Sequence, residues 1–225
     1  MTKVSVLARL RPFRVPLAVF SLVAAVVGIG GGLLFGLNPG FAVALLAVII
    51  GVTAFWLDRR TSRSGDVSPE ATIGFPTVAA HMAVVSIATL ALSQLVPYGR
   101  THANPPVTGE PEWSSPRTRE LTVNACFGCH SNETEWPWYA NVAPISWAVA
   151  NHVDEGRSVL NFSEFDKPQR GADDIIEVIR EGSMPPGCYT NLGRHPEAKL
   201  TDAEIAELIA GLQQTPGIGD RSGHD

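Results

Sequence analysis

Two cysteines and a histidine stand within five residues of one another in the middle of the chain, as Cys126-Phe127-Gly128-Cys129-His130. Residues three apart lie on one face of a helical turn, so both sulfurs can meet the two vinyl groups of a single porphyrin. The following imidazole is then carried beneath the iron. This C-x-x-C-H spacing is typical of covalently attached haem c. It predicts one haem, with a thioether bond from each cysteine and an iron bond from His130.

Two other chemistries use the same cysteines. A thioredoxin-like redox pair requires C-x-x-C beside a strand-helix-strand pattern, and residues 110–140 show no such pattern. A zinc site could combine Cys126 and Cys129 with Cys188 and His195, but the spacing from 188 to 195 matches no common zinc ribbon. Haem attachment is therefore favoured. Cys188 is then a buried or free thiol, and a disulfide to another chain stays open.

The iron of such a haem has a second axial position. Met184, in Gly-Ser-Met-Pro-Pro at 182–186, is the one methionine outside the N-terminal half of the chain. A thioether ligand raises the reduction potential and suits electron transfer, and the flanking prolines restrict the loop that presents it. Met184 is the predicted sixth ligand, with His152 and His195 as alternatives and a core-filling role as the simpler explanation.

Several aromatic residues follow the motif. Trp136, Trp138 and Tyr139 are predicted to wall the haem, together with Trp147, because flat apolar side chains exclude water from the iron. Ordinary core packing explains them nearly as well. Arg157 could pair with a haem propionate, although a solvated surface arginine is the simpler prediction.

The elements that must position these groups are helical. Ser115-Pro116 matches an N-cap followed by proline at the first helical position, and opens a helix that runs into Cys126. Thr201 to Glu204 matches a capping box, and no strand-like alternation competes. The remaining helices are indicated by apolar spacing at Ile175, Ile176 and Ile179, by residues 144–155, and by Ile205, Leu208, Ile209 and Leu212.

The N-terminal half contains three long apolar stretches, at about residues 15–35, 38–57 and 75–97. The first is uncharged and long enough to span the roughly 30 Å hydrocarbon core of a bilayer. A cleaved signal peptide is the alternative for that stretch, but two more apolar stretches follow it. We predict three transmembrane helices in contact with membrane lipid. His81 in the third is predicted to face the bundle, since the stretches hold no second histidine to complete a haem b site.

Basic residues set the predicted orientation, because cytoplasmic loops carry an excess of Lys and Arg. They cluster before the first stretch and between the second and third, at Lys3, Arg9, Arg11, Arg14, Arg59, Arg60 and Arg63. The N-terminus is therefore predicted to be cytoplasmic. Three crossings of the cytoplasmic membrane then place the chain from residue 98 onward outside, in the periplasm.

The two halves differ in charge. Residues 1–97 hold seven Lys and Arg against three acids, whereas residues 98–225 hold ten against nineteen. An acidic external part argues against nucleic-acid binding and favours a basic redox partner. The predicted organisation is a membrane domain at 1–97, a proline-rich linker at 98–114, a haem domain at 115–213 and a flexible tail at 214–225.

Residues 125–200 resemble the bacterial haem-binding domain family related to cytochrome c. The resemblance lies in A-C-F-G-C-H-S-N-E-T-E-W-P-W-Y at 125–139, A-P-I-S-W at 143–147, H-V-D-E-G-R at 152–157, L-N-F-S-E-F at 160–165, M-P-P at 184–186 and H-P-E-A-K-L at 195–200. It implies covalent haem on Cys126, Cys129 and His130, with Met184 as distal ligand. Cys188 departs from the pattern, and the three apolar stretches are an addition to it.

The sequence therefore predicts an all-α protein, a three-helix transmembrane bundle followed by a small cytochrome c-like domain. Its predicted function is electron transfer outside the membrane, and no catalytic residue is identified. The alternatives are a haem-based sensor or a peroxidase-like protein, both of which require an open iron position, and a zinc-binding interaction module.

Overall fold

The computed structural model describes residues 44, 47–56, 59 and 75–219. The chain divides into two units, residues 1–96 and residues 97–225. The predicted span at 15–35 lies outside the described residues, as do most of the residues between the second and third predicted spans. Each unit is described by itself below.

The described residues of the first unit form two apolar helices, α1 (Ala47–Trp56) and α2 (Phe75–Ser93). In α2 the stretch Pro76–Ser93, with a mean hydropathy of 1.5, is long and apolar enough to cross a membrane, whereas α1 is shorter. The described residues therefore contain one helix of spanning length rather than a bundle of three. His81 in α2 bonds through Nδ1 to the Thr77 carbonyl at 2.5 Å, and its ring lies 4.4 Å from that of Trp56.

Residues 97–219, the described part of the second unit, form six short helices. They are α3 (Pro116–Ala125), α4 (Phe127–His130), α5 (Ile145–Val159), α6 (Ile175–Arg180), α7 (Gly187–Thr190) and α8 (Asp202–Leu212). Short 3₁₀ turns lie at Trp138–Asn141, Asn191–Gly193 and Pro196–Ala198. Within the described residues there is no strand beyond an isolated bridge between Gly109 and Glu164. The all-α prediction is confirmed for this part of the chain.

Helices α3 and α8 begin where the sequence predicts. The Ser115 hydroxyl accepts a hydrogen bond from the Thr118 amide at 3.0 Å, with Pro116 at the first helical position. At α8 the Thr201 hydroxyl accepts from the Glu204 amide, while the Glu204 carboxylate accepts from the Thr201 amide at 2.9 Å. Both caps satisfy amide groups that have no partner inside the helix.

Helix α8 packs back onto α3. The Arg117 guanidinium in α3 lies 3.1 Å from the Glu204 carboxylate and 3.3 Å from that of Glu207, both in α8. These pairs are partly exposed and stabilise the contact weakly. The close approach is at Gly211, where an added methyl group would lie 2.1 Å from Oγ1 of the buried Thr118. The absence of a side chain at 211 allows the two helices to come this close.

The core lies between these two helices and the helical turn that carries the cysteines. Phe127 and Phe162 stack with ring centroids 5.6 Å apart, and Trp113 packs 5.5 Å from Phe162. The other buried members are Leu121, Leu160, Ala172, Ile175, Ile179, Leu208, Leu212 and Ile218. Phe127 is a residue of the C-x-x-C-H motif itself, so its packing in the core holds the motif in place.

The predicted linker at 98–114 is hydrogen-bonded along the second unit. The Thr108 and Gly109 amides both donate to the Ser163 carbonyl, at 2.8 and 3.2 Å. The Asn104 side-chain amide donates to the Thr134 carbonyl at 2.9 Å. Much of this segment is therefore fixed to the residues that follow the motif, despite its prolines.

Replacing Gly211 by alanine is expected to destabilise the second unit by about 1–3 kcal/mol, the usual cost of overpacking. The clash involves Cβ and Cγ2 of Thr118, at 3.0 and 2.8 Å, as well as Oγ1, so no rotamer of Thr118 relieves it. Guanidinium unfolding followed by tryptophan fluorescence measures the effect. Gly187→Ala is the control, because its added methyl meets only the Asn191 side-chain nitrogen at 3.2 Å. Equal midpoints for the two variants would contradict this account of the packing.

Candidate functional site

The two cysteines lie where helix α3 turns into helix α4. Cys126 ends α3 and its carbonyl accepts hydrogen bonds from the amides of Cys129 and His130, at 3.2 and 3.0 Å. These bonds close one helical turn over residues 126–130. Because residues three apart share a face of such a turn, the two sulfurs lie on the same side of the motif, as the sequence spacing predicts.

The imidazole of His130 is oriented by two backbone carbonyls. Its Nδ1 lies 3.0 Å from the Leu160 oxygen and 3.1 Å from the Gly156 oxygen. Carbonyls accept only, so Nδ1 carries the proton and donates it between them. Burial lowers the pKa of His130, and these two bonds oppose the change in part. The neutral ring then has an unprotonated Nε2, whose lone pair can bind a metal ion.

Helix α5 approaches the motif closely at Gly156. A methyl group added there would lie 2.5 Å from the Cys129 carbonyl oxygen and 3.1 Å from its carbon. Backbone atoms cannot turn aside as a flexible side chain can. A glycine at 156 is therefore required for α5 to bring its last carbonyls within reach of His130.

A polar network fixes the residues directly after His130. The Ser131 hydroxyl donates to the Phe127 carbonyl at 2.8 Å, and the Asn132 amide donates to the Ser163 hydroxyl at 2.9 Å. The Asn132 and Asn161 side chains bond to each other at 2.9 Å, and all four of these polar residues are buried. The chain also bonds back through the Phe162 amide, which donates to the His130 carbonyl at 2.8 Å.

Arg157 is a structural residue of this network. Its guanidinium donates to the Ser131 carbonyl at 2.7 Å, the Ala103 carbonyl at 2.9 Å, and the side chains of Asn104 and Thr134 at 2.9 and 3.0 Å. Burial is the main cause that lowers the pKa of Arg157. The prediction of a solvated surface arginine is wrong, because these bonds tie the 98–114 segment to the motif.

Both motif thiols are neutral at physiological pH. Burial, with a smaller contribution from Cys129, raises the pKa of Cys126 to about 12. Burial, with a smaller contribution from Cys188, raises the pKa of Cys129 to about 11. A redox-active C-x-x-C pair needs a lowered thiol pKa, so the structure gives no support to thioredoxin-like chemistry.

A cluster of aromatic rings covers Gly128, between the two cysteines. A methyl group added at Gly128 would lie 2.3 Å from the Tyr189 hydroxyl oxygen. The Tyr189 ring stacks on His195, with centroids 3.9 Å apart and planes 7° from parallel. His195 in turn has Nε2 3.3 Å from the Tyr139 hydroxyl and Nδ1 3.2 Å from the Glu197 carboxylate. We call Tyr139, Tyr189, His195 and Glu197 the ring cluster.

Burial is the main cause that raises the pKa of both tyrosines of the ring cluster. It raises the pKa of Tyr189 well above its ordinary value, with smaller contributions from the nearby thiols and carboxylate. It also raises the pKa of Tyr139, where Arg194 opposes the change. Both hydroxyls are therefore protonated and able to donate hydrogen bonds at neutral pH.

Met184 lies in the loop between α6 and α7. Its amide donates to the Val178 carbonyl at 3.2 Å, and its side chain is 41% exposed, so it is not a core residue. The loop leads directly into α7, and Tyr189 of α7 packs against Gly128. The described contacts do not join the Met184 sulfur to the motif, and its role as an iron ligand stays a prediction.

The aromatic residues predicted to wall the haem lie in different places in the structure. Tyr139 belongs to the ring cluster, whereas Trp136 stacks on His102 at 4.6 Å and borders a separate cavity of about 150 Å³ that Asp154 and Arg157 also line. Trp138 is 79% exposed. A haem-walling role for these three residues stays a prediction, and the contacts favour Tyr139.

Sequence reasoning did not single out Tyr189, Gly156 or the Ser131–Asn132 pair. Nothing in the sequence alone distinguishes Tyr189 from any other surface tyrosine. The Ser-Asn after the histidine was a usable signal, because short polar residues directly after a helical turn often bond to the backbone. Among the residues that the structure describes, no group of three or more His, Cys, Asp or Glu is placed to hold a metal ion, so nothing here supports the zinc alternative.

Comparison with known proteins gives one match. The family model described as "Haem-binding domain" matches residues 88–214, more than half of the chain. No curated protein and no solved structure matches. The matched range contains both cysteines, His130, Met184 and the ring cluster.

Replacing Gly156 by alanine is expected to push Cys129 away from α5 and to destabilise the second unit by about 1–3 kcal/mol. The two carbonyls then no longer meet Nδ1 of His130. Unfolding midpoints measure the loss, and haem bound per polypeptide is expected to fall with them. Glu155→Ala, an exposed change on the same helix, is the control. Wild-type haem content and stability in Gly156→Ala would refute the close approach.

Proposed function

Because this chain belongs to the haem-binding domain family, we propose that it is a membrane-anchored c-type cytochrome, which holds one haem covalently and transfers electrons outside the cytoplasmic membrane. The observation that carries the proposal is the His130 ring. Its Nδ1 proton is held by two carbonyls, so Nε2 is free to bind iron one residue after a pair of thiols on the same helical turn.

Covalent attachment is supported by the donor set of the motif. Cys126 and Cys129 lie one turn apart and next to His130, the arrangement that a porphyrin with two vinyl groups requires. The two thiols would hold the ring by thioether bonds and His130 would hold the iron. Haem so bound supplies an iron that gains and loses one electron reversibly.

The surroundings of His130 suit an axial ligand. A carbonyl that accepts from Nδ1–H orients the ring and increases the electron density at Nε2. Here two carbonyls from the end of α5 do so. Because Gly156 and Leu160 are backbone acceptors fixed by the helix, the ring cannot rotate without losing both bonds.

For the sixth ligand the structure favours Met184 over His195. Both ring nitrogens of His195 already have partners, the Tyr139 hydroxyl and the Glu197 carboxylate. To bind iron, His195 would have to break one of these bonds and its stack with Tyr189. Met184 lies in a loop with 41% of its area exposed, so its thioether is accessible to a ligand. His152 lies on α5 and stays the second alternative.

Membrane anchoring is supported by helix α2, the one described helix of spanning length. We propose that spans at about 15–35 and 38–57 precede it and complete a three-helix bundle in contact with lipid. The basic residues before the first span and between the second and third place the N-terminus in the cytoplasm. The haem domain is then periplasmic, where haem c is attached in bacteria.

The first test is covalent haem. Wild-type chain, expressed in a host that matures c-type cytochromes, is expected to give a haem-stained band on a denaturing gel. Cys126→Ala/Cys129→Ala is expected to lose that band because both thioether bonds are gone. Cys188→Ala is the control and keeps the band. A colourless wild-type protein, or a stained double variant, would refute covalent attachment.

The second test is the distal ligand. In Met184→Ala the sulfur-to-iron absorption band is expected to disappear, and the reduced protein is expected to bind carbon monoxide, since a ligand position opens. The wild type is expected to bind it slowly or not at all. Met82→Ala, a methionine of α2, is the control. A sulfur band that survives in Met184→Ala would overturn the assignment, and rapid carbon monoxide binding by the wild type would favour a sensor or peroxidase.

A further inference from the structure

Trp138 lies at the surface of the second unit with 79% of its area exposed. An exposed tryptophan is a candidate binding anchor, because tryptophan is among the residues that contribute most to the free energy of binding at protein interfaces. Its neighbour Tyr139 points the other way, into the ring cluster. The Trp138 ring meets that of Tyr139 edge-on, with centroids 5.9 Å apart.

Trp138 is the outer end of a continuous chain of contacts that leads to the cysteine motif. Tyr139 bonds to His195 at 3.3 Å, and His195 stacks on Tyr189 at 3.9 Å. Tyr189 fills the space beside Gly128, between the two cysteines. These van der Waals and hydrogen-bond contacts therefore connect the exposed Trp138 ring to the cysteine motif, where haem is proposed to be attached.

The loop that carries Trp138 is acidic. Glu133 and Glu135, both exposed, precede it in the same loop, and residues 131–150 contain no Lys, Arg or His. The second unit as a whole carries nineteen acidic residues against ten basic ones. A partner with a positive surface around an apolar patch would match this area in both charge and chemistry.

We propose that Trp138, instead of walling the haem, is the docking anchor for a basic electron-transfer protein, and that Glu133 and Glu135 steer that partner to it. This rests on the proposed function, because docking there is useful only if haem is attached at Cys126 and Cys129. The partner packs an apolar patch on the Trp138 ring. Its redox centre then faces the short route through the ring cluster, and one electron passes between that centre and the haem iron.

A bilayer surface is the other environment that accepts exposed tryptophan. The local charge disfavours it, because bacterial membranes present anionic lipid and the flanking residues here are carboxylates. The protein partner is therefore the better match, and the membrane becomes an outcome of the test.

The test uses the purified full-length, haem-loaded chain in detergent. A lysine-rich blue-copper protein is the partner probe, because its copper absorption is distinct from that of haem. Stopped-flow mixing gives the second-order rate of electron exchange. Trp138→Ala is expected to lower that rate about tenfold, as loss of a binding anchor does. Trp138→Phe is expected to recover most of it. Val107→Ala, which removes a 47% exposed apolar side chain elsewhere in the second unit, is the control and leaves the rate unchanged.

Charge is tested separately. Glu133→Gln/Glu135→Gln is expected to slow exchange with the basic probe and to flatten its dependence on salt, because steering is electrostatic. The same variant is expected to react faster with ferricyanide, an anion. Equal rates for wild type and Trp138→Ala with the basic probe would overturn the docking site. A haem absorption spectrum altered by Trp138→Ala would also overturn it, since Trp138 would then contact the haem.

The membrane alternative has its own readout. In lipid nanodiscs, quenching of tryptophan fluorescence by brominated lipid is expected to be the same in wild type and Trp138→Ala. A difference would assign Trp138 to the bilayer and refute the proposal. Failure of the proposed function is distinct from all of these results, because it is seen earlier, as a chain without covalent haem.

Discussion

The structure of the second unit depends on one proton, on Nδ1 of His130, that two backbone carbonyls share. The Nδ1–H of His130 points between the carbonyls of Gly156, in helix α5, and Leu160, the residue directly after it. For that helix to stand so near, position 156 must lack a side chain, since Cys129 backbone atoms occupy the space. The aromatic core that contacts the motif is centred on Phe127 and Phe162. Its packing fixes the position of the turn that carries both cysteines. The His130 imidazole is thus positioned by backbone atoms and rigid rings rather than by flexible side chains.

A network of polar side chains holds the residues that follow the same turn. The buried Asn132–Asn161 pair and the four bonds of Arg157 leave the residues after His130 no freedom to shift. Such a network is stabilising only when its polar groups are satisfied together. Because Arg157 also bonds to Ala103 and Asn104, the segment that enters the second unit from residue 97 is part of the structure that supports the motif. The polar residues around the motif therefore act mainly through position and not through chemistry of their own.

Local signals predicted local structure well. The caps at Ser115 and Thr201 were found from residue type and spacing, because a cap depends on neighbours three residues away. The apolar face of α8 was also found from spacing, and its Leu208 and Leu212 are buried. The ring cluster was not predicted, since it joins Tyr139 to residues 189–197 across more than fifty positions, and no periodicity links them. Arg157 was misjudged for the same reason. Its four acceptors lie in two separate segments, at 103–104 and 131–134, and solvent exposure cannot be inferred for a residue whose partners are unknown. The prolines of 98–114 indicated an extended segment, but could not show what it bonds to.

The burial of the two thiols has a consequence for how the protein is made. A sulfhydryl whose pKa is raised to about 11 or 12 keeps its proton, and an uncharged sulfur is a poor nucleophile toward disulfides and oxidants. The folded chain is therefore slow to close a disulfide to Cys188. Under the proposed function, the same protonated sulfurs would be slow to add to the haem vinyl groups, so attachment would be favoured before this turn folds or when it is opened.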